Sequence, residues 1–119
     1  MKTRLETVER ATILVAEGRL DFNSAPGFQK DMDQALAAAG TSSAGLIVDC
    51  AALEYVSSAG LRVFLLGARN ASRTKLVFAV CSLSETVREV FELSGFNRVM
   101  TVVPDRAAAL ALLPPVHPA

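Results

Sequence analysis

Runs of apolar residues alternate along this chain with segments in which apolar positions recur at helical spacing. The apolar runs predict short strands, and the continuous runs at residues 46–48 and 76–80 are typical of buried strands of a parallel sheet. Glu9 and Arg10 separate the first two runs, a spacing that suits a hairpin. The predicted strands cover residues 7–8, 12–16, 46–48, 76–80 and 99–103.

The segments between the strands predict helices with recognisable starts and stops. Asp21, Asn23 and Ser24 are candidate caps for the first helix, and Pro26 suits its opening turn. A second helix is predicted to follow Ser58. The remaining signals are Gly40 and Gly95 as stops, Ser82 with Glu85 as a capping box, and Asp105 as the cap of a last helix that ends before Pro114.

Strands that alternate with helices predict an α/β fold. We expect a mixed, mostly parallel small sheet of about four to five strands with about four helices, and an antiparallel edge formed by the first hairpin strand. A chain of 119 residues has room for one domain with a real core. The predicted domain covers residues 1–113, and a Pro-rich tail covers residues 114–119.

Composition excludes several classes of function. Twelve Lys and Arg balance 12 Asp and Glu, which leaves no net positive field to hold nucleic acid. The charged N-terminus does not resemble a signal peptide, and no apolar run is long enough to span a bilayer. We therefore expect a cytoplasmic protein without direct membrane insertion.

The residues that commonly bind metals are few. Cys50 and Cys81 each follow an apolar run, which predicts buried, reduced thiols. His117 lies in the Pro-rich tail and has no ligand partner nearby in sequence. No metal site is predicted.

Two adjacent hydroxyls, Ser57 and Ser58, stand where the chain is predicted to enter the second helix. Serine is a favoured N-cap, which predicts Ser58 as the cap of a helix beginning at Ala59. Ala59 and Gly60 leave no bulk over the amides of the first turn. A phosphate added there would meet free N–H groups and the positive end of the helix dipole. The residues alone indicate a plain cap or a modification or anion site.

This stretch resembles a known family. Residues 55–62, Tyr-Val-Ser-Ser-Ala-Gly-Leu-Arg, resemble the phosphorylation loop of STAS-domain anti-sigma factor antagonists. Three other stretches are similar to family motifs in the same order: residues 18–21 (Gly-Arg-Leu-Asp), 46–49 (Leu-Ile-Val-Asp) and 93–96 (Leu-Ser-Gly-Phe). The resemblance extends from about Thr3 to Leu113.

The resemblance implies a STAS-like fold and a phosphorylation-controlled protein-binding switch. It implies that the unphosphorylated form binds an anti-sigma factor serine kinase and releases the sigma factor. The kinase would phosphorylate one serine, and a PP2C-type phosphatase would reverse the modification. Ser58 matches the family's acceptor, whereas Ser57 replaces its Asp and Ala59 replaces its second Ser. Ser57 is therefore a rival acceptor.

The chemistry at the predicted sheet edge is sparse. Asp21 and the two serines follow neighbouring parallel strands and should share one rim. Asp21 is either a turn residue or a contact for the partner, and Asn23 is a cap or a contact. The chain has no Gly-rich phosphate loop and no Ser/His or Cys/His pair, which predicts a protein that is not an enzyme and has no cofactor.

Helical geometry predicts a partner surface on the second helix. With Leu61 and Leu65 toward the core, Val63 and Leu66 fall on the outer face. An apolar outer face is either covered by a neighbouring helix or docks a partner, and Arg62 beside it would steer an acidic one. The predicted partner-binding residues are Asp21, Asn23, Ser57, Ala59, Gly60, Arg62, Val63 and Leu66.

A second function fits the same resemblance. STAS domains also occur in accessory subunits of lipid or anion transporters, where the same rim would dock on an ATPase subunit. The genes beside this one would discriminate: a serine kinase and a sigma factor, or a transporter operon.

Overall fold

The computed structural model of the chain describes residues 1–114, so residues 115–119 of the predicted tail, with His117, lie outside the described part. Strands and helices alternate after an initial hairpin, as the apolar pattern predicted. The elements are β1 (Lys2–Val8), β2 (Ala11–Leu20), α1 (Ala25–Ser42), β3 (Gly45–Val56), α2 (Ser58–Arg73), β4 (Val77–Cys81), α3 (Glu85–Leu93), a 3₁₀ turn (Phe96–Arg98), β5 (Thr101–Val103) and α4 (Arg106–Leu110).

The described strands form one five-stranded sheet in the order β1-β2-β3-β4-β5. β1 runs antiparallel to β2, and every other neighbouring pair is parallel. Val8 pairs with Ala11 across the hairpin, where Glu9 has a left-handed φ of 53°. The predicted mixed, mostly parallel sheet with four helices and an antiparallel edge is confirmed.

β3 is much longer than the predicted strand, and its two halves differ. Up to Asp49 it pairs with both β2 and β4, and beyond that point it pairs only with β2. Between Val15 and Glu17, and again between Gly18 and Arg19, β3 contains one more residue than β2. Such bulges bend a strand and increase its twist. They carry β3 past the edge of the regular sheet to Val56.

The bulges explain why the second half of β3 was not predicted as a strand from alternating apolar and polar residues. Cys50, Leu53 and Val56 are buried, and the two residues between each pair are exposed. The burial period is therefore three residues, whereas a regular strand has a period of two. The segment after Asp49, which lies outside the predicted strand 46–48, is in fact paired strand.

The face of the sheet that α1, α2 and α3 cover holds the larger core. Phe64 of α2 lies at its centre, with its ring centroid 5.3 Å from that of Phe28 and 5.2 Å from that of Phe91. Aromatic pairs at this spacing contribute about 0.5–1.5 kcal/mol beyond the area they bury. This cluster fastens α1, α2 and α3 to each other over the sheet.

A smaller apolar cluster covers the opposite face of the sheet beneath α4. Arg106 of α4 anchors the helix, because its Nη1 donates to Glu6 Oε1 at 2.9 Å and its Nε donates to Asp49 Oδ2 at 2.6 Å. Cys81 belongs to this cluster, and Cys50 to the larger core. Both are free, buried thiols whose pKa values are raised by burial, as predicted.

Several helix boundaries differ from the predicted ones. Ser84, rather than Ser82, caps α3, because its hydroxyl accepts a hydrogen bond from the Val87 amide. Ser82 precedes the helix with a positive φ of 64°. α1 continues through Gly40 to Ser42. Gly95, with a φ of 76°, follows the end of α3, and Asp105 caps α4, as predicted.

Candidate functional site

The C-terminal ends of β2 and β3 form one rim, as the topology predicted. Leu20 is paired with Val56, and the amide of Ser57, the residue that follows β3, donates to the Leu20 carbonyl at 2.8 Å. The chain after Leu20 forms the turn around Asp21, and the chain after Ser57 begins α2. The candidate acceptors and the Asp21 turn are therefore connected through one backbone hydrogen bond.

The two serines have different roles at the start of α2. Ser57 is the N-cap, and its Oγ accepts a hydrogen bond from the Gly60 amide at 3.2 Å. Ser58 is the first residue of the helix, so the predicted cap at Ser58 and helix start at Ala59 are wrong by one position. The Ser58 residue is exposed, and no hydrogen bond of its hydroxyl occurs among the described residues.

Gly60 is required for packing inside the protein. A Cβ built on Gly60 would lie 2.5 Å from Leu20 Cγ and 3.1 Å from Val56 Cγ2, closer than atoms can approach without displacement. Gly60 is buried and Ala59 is half-buried against the core. The absence of a side chain lets α2 begin directly against the end of β2. Because Gly60 is buried, it is not available on the surface as the partner contact that we expected.

Asp21 is occupied by its own turn. Its Oδ1 accepts hydrogen bonds from the amides of Asn23 and Ser24, both at 3.0 Å, and its amide donates to Ser24 Oγ at 2.9 Å. The Ser24 amide is the main cause that lowers the pKa of the Asp21 carboxyl. Of the two predicted roles, these contacts support a turn residue. Asn23 is exposed on the same turn.

Two aromatic residues at this rim were not among the predicted partner-binding residues. Phe22 is 80% exposed, and Tyr55 is 39% exposed. The Arg19 guanidinium lies 4.3 Å from the centre of the Tyr55 ring, which is a cation–π contact. The one signal in the sequence is an apolar residue within a polar turn, between Asp21 and Asn23.

The outer face of α2 is only partly available. Val63 is 4% exposed, so its prediction as an apolar anchor is wrong. The cause is close packing of α1 on α2, shown by Gly67, where an added Cβ would lie 2.9 Å from Met32 Sδ of α1. Leu66 is half-buried and Arg62 is exposed. Packing between helices, the alternative that we left open, accounts for Val63.

Within residues 1–114, no three His, Cys, Asp or Glu side chains are grouped so that they could hold a metal ion. In the same part of the chain, no helix is long and apolar enough to cross a membrane.

The family model of the STAS domain matches residues 2–109, and the chain belongs to this family. The fold of solved anti-sigma factor antagonists is the fold of this chain. An anti-sigma factor antagonist from Mycobacterium paratuberculosis has a TM-score of 0.83 at 20% identity, with 94% of this chain and 92% of that one covered. The Bacillus cell fate determinant SpoIIAA, in its phosphorylated form, has a TM-score of 0.67 at 20% identity, with 93% and 99% covered.

A relative with higher identity is BtrV of Bordetella bronchiseptica, named as a candidate anti-sigma factor antagonist. It is 44% identical to this chain over 66 residues. The match covers 56% of this chain and 57% of the relative, so it spans little more than half of either protein.

Proposed function

We propose that this protein is an anti-sigma factor antagonist whose binding to a kinase is controlled by phosphorylation of Ser58. The unphosphorylated form binds an anti-sigma factor serine kinase in the cytoplasm and releases the sigma factor. The kinase uses its own ATP to modify Ser58, and a PP2C-type phosphatase removes the phosphate. The protein itself catalyses no reaction. The name of the Bordetella relative and the phosphorylated form of SpoIIAA support this proposal.

The observation that carries the proposal is the difference between the two serine hydroxyls. Ser57 Oγ accepts a hydrogen bond from the Gly60 amide, so a reaction of this oxygen with a phosphoryl group would disturb the cap of α2. The exposed Ser58 hydroxyl can accept a phosphoryl group without breaking a hydrogen bond among the described residues. These contacts favour Ser58 as the acceptor and Ser57 as the residue that shapes the helix start.

Phosphorylation would act through charge at a contact surface. A phosphoserine carries nearly two negative charges and three acceptor oxygens. A partner that binds the unmodified rim would have to desolvate that charge. A penalty of about 3 kcal/mol would weaken binding more than a hundredfold. The modified protein would then leave the kinase free to bind its sigma factor.

Because Val63 is buried, the residues of α2 that we assign to the kinase-binding surface are Arg62 and Leu66. Arg62 is exposed on the second turn of α2, and Leu66 follows one turn later. Substitution of Arg62 by Glu should slow association with the kinase more than it speeds dissociation, and high salt should reduce the effect. Leu66→Asp should weaken binding by placing a charge in the interface.

Phosphorylation of single variants by the purified anti-sigma factor serine kinase of the host tests the proposal. We expect Ser58→Ala to bind the kinase and incorporate no phosphate. Ser57→Ala should still be phosphorylated, although its helix loses a cap. Incorporation into Ser58→Ala at the wild-type level, with loss in Ser57→Ala, would overturn the assignment. The role as a transporter subunit stays a prediction, because no observation on this chain favours it.

A further inference from the structure

Phe22 is a large apolar side chain that the fold leaves in solvent. It is 80% exposed and belongs to neither of the two apolar clusters of the described residues. Single exposed apolar residues are common on protein surfaces and by themselves indicate nothing. The turn that carries Phe22 and its position beside the candidate acceptor distinguish it from such residues.

The turn holds Phe22 in place. The two residues after it, Asn23 and Ser24, donate their amides to the Asp21 carboxylate. Ser24 Oγ also donates to the Arg19 carbonyl at 3.0 Å, and the Ala25 amide donates to the Asp21 carbonyl at 2.9 Å. The Asp21 carboxylate and the Ser24 hydroxyl are therefore both used within the turn. The turn therefore fixes the backbone that carries Phe22, so capture of this residue by a partner costs little backbone conformational entropy.

The same turn is fixed to the start of α2. Leu20 lies two residues before Phe22. Its carbonyl accepts a hydrogen bond from the Ser57 amide, and its side chain packs against Gly60. Phe22 is thus two residues along the chain from Leu20, which is hydrogen-bonded to Ser57, the N-cap of α2. A protein that reaches the Ser58 hydroxyl must cover a surface of about 800 Å² on each side to bind stably. Because the turn follows Leu20, which is bonded to Ser57, we expect a surface of that size around Ser58 to include it.

We propose that Phe22 is the apolar anchor by which this protein docks on its serine kinase. The anchor fits an apolar pocket on the kinase surface beside the cleft that receives Ser58. The inference rests on the proposed function and adds the residue that carries the binding energy. Buried aromatic side chains commonly dominate such interfaces, and charged rim residues such as Arg62 mainly affect the rate of association.

The test measures binding and phosphorylation of Phe22→Ala by each purified anti-sigma factor serine kinase of the host. We expect the Kd of the unphosphorylated form and the KM for Ser58 phosphorylation to rise by about tenfold or more, as for other interface hot spots. The kcat should stay within about twofold, because the proposed docking contact does not touch the transferred phosphoryl group. The increase in Kd should come from faster dissociation.

Two further variants isolate the effect. Leu93→Ala is the matched control, because Leu93 is 89% exposed at the end of α3, away from the rim. Its Kd should stay within about twofold of the wild-type value, since exposed residues outside an interface have small effects. Phe22→Leu keeps an apolar side chain and should retain more affinity than Phe22→Ala. All three should melt at the wild-type temperature.

Each outcome decides between the two proposals. If the wild type is phosphorylated on Ser58 and Phe22→Ala has unchanged Kd and KM, the anchor is overturned and the proposed function stands. A loss in kcat alone would also overturn the anchor, because it would indicate positioning of Ser58. If no kinase binds or modifies the wild type, the proposed function fails and the docking inference fails with it.

Discussion

The two halves of β3 differ in almost every respect. Residues 45–50 are all buried, and the strand pairs with a neighbour on each side as far as Asp49. The remainder, to Val56, is bulged, paired only with β2 and buried at every third residue. The first half is the centre of the fold, and the second half delivers Ser57 and Ser58 to the rim. A regular strand holds the core together, and an irregular extension of that strand positions the candidate site.

The largest expected effect is in the regular half. Leu46→Ala removes a fully buried side chain from the larger core and should lower the free energy of unfolding by about 3 kcal/mol. Affinity for the kinase should stay unchanged at temperatures where the variant is folded. Urea denaturation and a binding titration measure the two quantities. Tyr55→Ala, in the bulged half, is the control and should cost only about 1 kcal/mol, its cation–π contact.

Gly60→Ala should disturb the contact between α2 and the ends of β2 and β3. The added Cβ would meet Leu20 Cγ at 2.5 Å, and overpacking of this kind costs about 1–3 kcal/mol. Gly40→Ala in α1 is the matched control, because a Cβ there meets nothing within 4 Å. That variant should be as stable as the wild type or more stable, since Ala favours helix over Gly by about 1 kcal/mol. Equal thermal melts for both variants would contradict the close packing at Gly60.

Substitutions of the two serines should have different effects: loss of Ser57 should lower stability, and loss of Ser58 should prevent phosphorylation. Ser57→Ala loses the N-cap of α2 and should lower the free energy of unfolding by about 1 kcal/mol. Ser58→Ala should change it by less than about 0.5 kcal/mol, as expected of an exposed substitution. Denaturant melts of both variants measure the difference. The reverse order of stability would place the cap at Ser58 and remove the structural distinction between the two hydroxyls.

The smallest expected effect is a pH dependence of the Asp21 turn. Hydrogen bonds, chiefly from the Ser24 amide, lower the pKa of Asp21 below its ordinary value of 3.8. The folded state therefore binds this proton less readily than the unfolded chain. The stabilisation is complete above the ordinary value and is lost as the pH falls through the folded pKa. NMR titration of the Asp21 carboxyl should give the lowered value, and Asp21→Asn should lose this part of the acid dependence.

Much of the fold could be predicted because local signals and topology agree. The strand and helix alternation, the antiparallel edge, the stop at Gly95 and the cap at Asp105 all follow from residues close in sequence. The shared rim of Asp21 and the serines follows from the parallel topology. These features need no knowledge of how distant segments pack.

The features that were missed depend on distant contacts. The bulges give β3 a three-residue burial period, which alternation cannot detect. Either serine is a good cap, and the choice depends on where the pairing of β3 with β2 ends. Val63 looks exposed by helical geometry, but close approach of α1 at Gly67 buries it. The exposure of Phe22 depends on the shape of a whole turn.

Fragmentation mass spectrometry of the protein purified from its own host, grown with and without stress, tests the central claim most directly. We predict a phosphorylated and an unmodified population, with the phosphate on Ser58. In a strain that lacks the serine kinase, the phosphorylated population should disappear. A phosphate on Ser57, or a protein that stays unmodified under every condition while the kinase is present and active, would contradict the account.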